Sequence, residues 1–63
     1  MPIAQIQILE GRTAEQKRAA IEKVTQALHE ARGTPPESIR VVIQEVPKEN
    51  WGIGGRTAKE LGR

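Results

Sequence analysis

The chain has 63 residues, ten Lys and Arg against eight Asp and Glu, a formal net charge of +2 at pH 7, one Trp, no Phe or Tyr, and no cysteine. A chain of this length makes one domain at most, and its stability is marginal unless disulfides, a metal or self-association support it. The lack of cysteine excludes disulfides, the single histidine, His29, argues against a zinc site, and the near-even charge without interleaved aromatics argues against nucleic acid.

Residues 2–9, PIAQIQIL, read as a first strand. Pro2 stands at its head, one of the few strand positions that a residue without an N–H tolerates. Ala4, Ile6 and Ile8 share one face, and Ile3, Gln5, Gln7 and Leu9 the other, so one face is apolar and one mixed. Gly11 then ends the strand in a turn. Thr13 opens a helix, because Thr13 and Gln16 have the spacing of a capping box. Ala20, Ile21, Val24, Ala27, Leu28 and Ala31 follow as one apolar stripe at helical period, and Arg18 and Glu22 are placed to pair on the solvent side. Gly33 is the predicted left-handed cap, and Pro35 and Pro36 prevent continuation. The stretch PPES is a single tight turn.

Residues 39–46, IRVVIQEV, are the second strand. Its run Val41, Val42, Ile43 predicts cover on both faces, and Pro47 stops it. Gly52, Gly54 and Gly55 predict a turn or short hairpin in the tail, and RTAKELGR a last helical turn or a frayed end. A helix between two strands suits a right-handed crossover with the strands parallel. The expected fold class is α+β: a small β-α-β unit with a C-terminal hairpin, one domain over residues 1–63. Two strands and one helix cannot close a core, so the sheet edges must pair with another copy. No apolar run follows a basic start, and no stretch approaches the roughly 18 apolar residues of a membrane span. The expectation is a soluble, cytoplasmic protein that engages neither nucleic acid nor membrane.

Taken together, MPIAQIQILEGR, the β-α-β order, SIRVVIQEV and NWGIGG strongly resemble the 4-oxalocrotonate tautomerase family, over essentially the whole chain. The resemblance implies small subunits with a catalytic amino-terminal proline. It implies a homohexamer, a trimer of dimers in which the strands of two subunits form one four-stranded sheet. It also implies proton transfer on unsaturated 2-oxo dicarboxylates from the degradation of aromatic compounds, with no metal and no cofactor. Pro2 matches the catalytic base. Arg12 and Arg40 match the two family arginines, of which one holds the far carboxylate of the substrate and the other binds the 2-oxo acid end and steadies the enolate. Leu9 and Ser38 match positions that line the family pocket. Trp51 falls where the family usually has phenylalanine and keeps an aromatic wall.

The chemistry accounts for these residue types. Tautomerisation needs a base that titrates near the working pH. A free proline amine is too basic, but an apolar pocket (Ile3, Leu9, Trp51) and nearby arginines both disfavour its charged form. An arginine aimed at the carbonyl oxygen stabilises the negative charge that develops there, and a second can hold a carboxylate through two parallel hydrogen bonds. All of this requires that Met1 be removed, because the Pro2 nitrogen is otherwise an amide. A small residue behind methionine normally permits that removal. Pro2 and Arg12 sit at opposite ends of a strand that spans roughly 23 Å at about 3.3 Å per residue. If both act on one substrate, Arg12 must come from a neighbouring chain, and an antiparallel neighbour across a two-fold axis supplies it.

Other readings stand beside these. Pro2 also fits a simple strand starter, Arg12 a solvated turn residue, and Arg40 the partner of a carboxylate such as Glu45 or Glu10. Trp51 also fits packing at a subunit contact, Ser38 a turn or cap, and His29 a surface or interface residue. Two further functions are open: hydration with loss of halide from a haloacrylate, for which no carboxylate is obviously placed to activate water, and a catalytically silent oligomeric module.

Overall fold

The computed structural model describes residues 2–63, and the expectation about Met1 lies outside them. Strand β1 spans Ile3–Leu9, helix α1 Ala14–Arg32 and strand β2 Arg40–Val46. Short 3-10 turns at Pro36–Ser38 and Lys48–Asn50 flank β2, and strands β3 (Gly52–Ile53) and β4 (Arg56–Thr57) form an antiparallel C-terminal hairpin. β1 and β2 pair in parallel, from Ile3 opposite Arg40 to Leu9 opposite Val46. This is the α+β unit expected from the order of strand, helix and strand.

The connections follow from local chemistry. The Thr13 hydroxyl accepts the Gln16 N–H at 3.1 Å, and the Gln16 side chain accepts the Thr13 N–H at 3.0 Å, so two orphan donors of the first helical turn are satisfied reciprocally. Gly33 ends α1 at φ 70°, and its N–H donates to the His29 carbonyl at 2.9 Å. His29 is half-buried and turns back over the same end: its Nδ1 lies 2.7 Å from the Thr34 carbonyl oxygen. A carbonyl only accepts, so this nitrogen carries the proton. In the hairpin, Gly54 (φ 60°) and Gly55 (φ 87°) occupy both central positions of a two-residue turn, the backbone that right-twisted strands need and that only glycine adopts cheaply. The tail beyond it closes as one helical turn. The Thr57 and Glu60 side chains take each other's backbone N–H at 3.0 and 3.2 Å. The backbone bond first, and then that from the Thr57 hydroxyl, hold the Glu60 carboxyl below its ordinary range.

Packing is one-sided. Ala4, Ile6 and Ile8 of β1 and Val41 and Ile43 of β2 are half-buried, as are Ala20, Val24 and Leu28 of α1. The helical stripe is narrower than its sequence pattern: Ile21, Ala27 and Ala31 remain exposed, because two strands cannot cover so wide a surface. Among the described residues nothing covers the opposite sheet face. Ile3 is 61% exposed and Val42 49%, so the cover expected on both faces of β2 is absent within one subunit. Among the described residues only Ile39 and Ala58 are buried. The radius of gyration is 14.5 Å, against about 11 Å for a compact domain of this length. A chain this elongated, with almost no interior among the described residues, leaves much apolar surface for a partner to cover. Among the described residues no helix is long and apolar enough to cross a membrane.

Candidate active site

The sheet register divides the predicted site residues between its two ends. At one end are Pro2, Ser38 and Arg40. The Arg40 N–H donates to the Pro2 carbonyl at 3.0 Å, one step before Ile3 pairs with Arg40. A residue without an N–H can head β1 because its carbonyl is still free to accept this bond. Pro2 is half-buried there. Ser38 ends the 3-10 turn that feeds β2, and its N–H donates to the Pro35 carbonyl at 2.9 Å. The Arg40 side chain is exposed, and its Nη1 donates to the Glu37 carbonyl at 2.7 Å. Neither Glu45 nor Glu10 pairs with it: Glu45 holds Lys17 at 2.9 Å, and Glu10 accepts the Lys48 N–H at 3.1 Å. Among the described residues Arg40 makes no ion pair, so most of its five donors stay open to a ligand.

At the other end are Leu9, Arg12 and Trp51. Leu9 closes β1, half-buried opposite Val46. Gly11, at φ 114°, turns the chain toward the helix, so Arg12 stands between the strand and the cap residue Thr13. Its guanidinium forms no ion pair among the described residues. It borders a cavity of about 240 Å³ under the start of α1, with Ile6, Ile8, Ile43, Ala20, Gln16 and Lys17. Trp51 is half-buried after the turn that leaves β2; its carbonyl accepts the Ala58 N–H at 2.8 Å. The bond from Lys48 to Glu10 ties this turn to the end of β1.

Within one chain, then, Arg40 is brought to Pro2 and Arg12 is not. The two ends are separated by the length of β1, roughly 23 Å from Pro2 to Leu9 at about 3.3 Å per residue. One chain thus holds the two groups of predicted residues apart. Among the described residues the edge of β1 away from β2 is unpaired, and an antiparallel neighbour on that edge would set one chain's Arg12 end beside the other's Pro2 end.

Two residues beside these groups make contacts that the sequence did not reveal. Glu10 was considered only as a possible partner of Arg40, yet its carboxylate accepts the Lys48 N–H and anchors the turn before Trp51. Lys17 was not singled out, yet it lies on the inward side of α1, three residues before Ala20. A lysine in line with Ala20, Val24 and Leu28 was the available signal.

A family profile described as tautomerase enzyme matches residues 2–60. A 2-hydroxymuconate tautomerase of Pseudomonas putida is 68% identical over 63 residues, covering 100% of both chains. A solved 4-oxalocrotonate tautomerase isozyme of Methylibium petroleiphilum superposes with a TM-score of 0.95 at 69% identity, covering 98% of this chain and 100% of that one. A heterohexameric 4-oxalocrotonate tautomerase of Chloroflexus aurantiacus J-10-fl superposes with a TM-score of 0.92 at 38% identity, covering 97% of this chain and 98% of that one. Likeness of this extent, on a sheet whose register sets Arg40 beside Pro2, has one reading: the chain belongs to the tautomerase family, enzymes that interconvert keto and enol forms.

Proposed function

We propose that this chain, a single domain, ketonises 2-hydroxymuconate to 2-oxo-3-hexenedioate in the cytoplasm, as a step in the breakdown of aromatic compounds. The observation that carries the substrate is the full-length identity to 2-hydroxymuconate tautomerase. The working unit is a homohexamer, a trimer of dimers. The nearly absent interior of one chain and its open sheet face support assembly.

In this reading Met1 is removed and Pro2 carries a free secondary amine. Its neutral form takes the proton from the 2-hydroxyl of the dienol. The two double bonds shift toward the new carbonyl, and the ammonium returns the proton to C5, so one group serves as base and then acid. Arg40 binds the 2-oxo acid end and stabilises the charge on the oxygen. Arg12 of a neighbouring chain holds the far carboxylate, and Leu9, Ser38 and Trp51 wall the pocket. Apolar walls and cations both disfavour the charged amine, which moves it toward the working pH. The test is the ultraviolet absorbance of 2-hydroxymuconate mixed with protein whose intact mass confirms the loss of Met1. Decay well above the buffer rate is expected, and decay at the buffer rate overturns the proposal.

A further inference from the structure

The strongest feature outside the assigned roles is a second cation in the Arg12 cavity. Lys17 and Arg12 border the same space of about 240 Å³, whose remaining walls are Ile6, Ile8, Ile43 and Ala20, with Gln16 at its rim. Lys17 is not an ordinary surface lysine. Its side chain is 30% exposed, against 77% for Arg18 beside it. Its ammonium reaches across from α1 to the sheet, where Nζ lies 2.9 Å from Oε1 of Glu45. Glu45 pairs with Ile8 in the β1–β2 register, so the carboxylate stands on the helix-facing side of the sheet, next to a residue that lines the cavity.

An ammonium has three donors. One is used on Glu45, and the others remain for a ligand. Arg12 and Lys17, with the one carboxylate that Lys17 holds, sum to a charge of +1 beside mostly apolar walls, where charge interactions are stronger than in water. Such a space favours an anion. The Glu45 bond also holds a long, flexible side chain in place, which lowers the entropy lost when a ligand is bound.

We propose that Lys17 is a substrate-binding residue, which joins Arg12 on the far carboxylate and makes the site prefer dicarboxylates over acids that lack that group, with Glu45 as its tether and counter-charge. The proposal rests on the reading of Arg12 given above. Lys17 contributes binding at the unreacting end of the substrate, so its effect falls on KM more than on kcat.

The test compares 2-hydroxymuconate with the same 2-hydroxy dienoic acid lacking the far carboxylate. For Lys17→Met the dicarboxylate KM should rise roughly five- to tenfold, the loss of one charge-assisted contact near a partly exposed site. The KM of the monoacid should hold, and kcat should fall far less than KM rises. Lys17→Arg should restore most of the loss. Glu45→Gln, which keeps an acceptor to tether the ammonium and removes only the counter-charge, should lower the dicarboxylate KM and so reads the same contact with the lysine in place. Lys23→Met, which removes an exposed charge from the same helix, should change neither substrate. An equal shift for both substrates, no shift in Lys17→Met, or the same shift in Lys23→Met overturns the proposal while turnover by the unsubstituted protein keeps the tautomerase reading. Lack of turnover in the unsubstituted protein on either substrate overturns both.

Discussion

Acetylation of the Pro2 nitrogen is expected to reduce ketonisation by a factor of about 10²–10⁴, the usual contribution of a positioned general base. The acetyl group turns the amine into an amide and removes the basic lone pair while it leaves both arginines and the apolar walls in place. A chain of 63 residues is within reach of total synthesis, so the capped and free forms can be compared directly. Pro2→Ala should be less damaging. Its primary amine is still a base, but without the ring the nitrogen is no longer fixed against the strand. The order of rates, free Pro2 above Pro2→Ala above acetyl-Pro2, is the signature of the mechanism. Equal rates for free and acetylated chains would assign the proton transfer to another group.

Val42→Asp should break the assembly. Val42 is 49% exposed on the face that α1 leaves open. It lies opposite Gln5 in the register, beside the Gln7–Gln44 side-chain hydrogen bond at 3.3 Å. If other subunits cover that face, the aspartate becomes a buried charge without a partner, which costs about 3–5 kcal/mol per site. Repeated in every subunit, that penalty exceeds what an assembly of small chains withstands. Sedimentation should then give species smaller than the unsubstituted protein, with a lower melting temperature at equal concentration. An unchanged sedimentation coefficient would place the open face on the outside of the assembly, in contact with water.

What the sequence made legible was local. The capping box at Thr13 and Gln16, the left-handed glycine at Gly33 and the paired glycines of the hairpin each depend on residues within a few positions, and each is found in place. The parallel pairing of β1 with β2 followed from the helix between them. Hidden from the sequence were contacts that join distant residues. Lys17 meets Glu45 across 28 positions, and Glu10 meets Lys48 across 38. No periodicity encodes such partners; they exist only once helix and sheet are stacked. The apolar run in β2 raised a different difficulty. Val41 and Ile43 face the helix and Val42 faces away, 49% exposed, so within the single chain the run is covered on one face only. For the same reason the site is legible as residue types but not as one place: Pro2 with Arg40, and Arg12 with Leu9, are set at opposite ends of the subunit.

The central claim is that one site takes its base and its far arginine from different chains. Acetyl-Pro2 chains with Arg12 intact, mixed in equal amounts with Arg12→Ala chains carrying a free Pro2, test it directly after unfolding and refolding together. Random assembly of a shared site regenerates about one complete site in four, so about a quarter of the unsubstituted activity should return. Activity equal to the mean of the two parent proteins would mean that each chain builds its site alone, and would contradict the account.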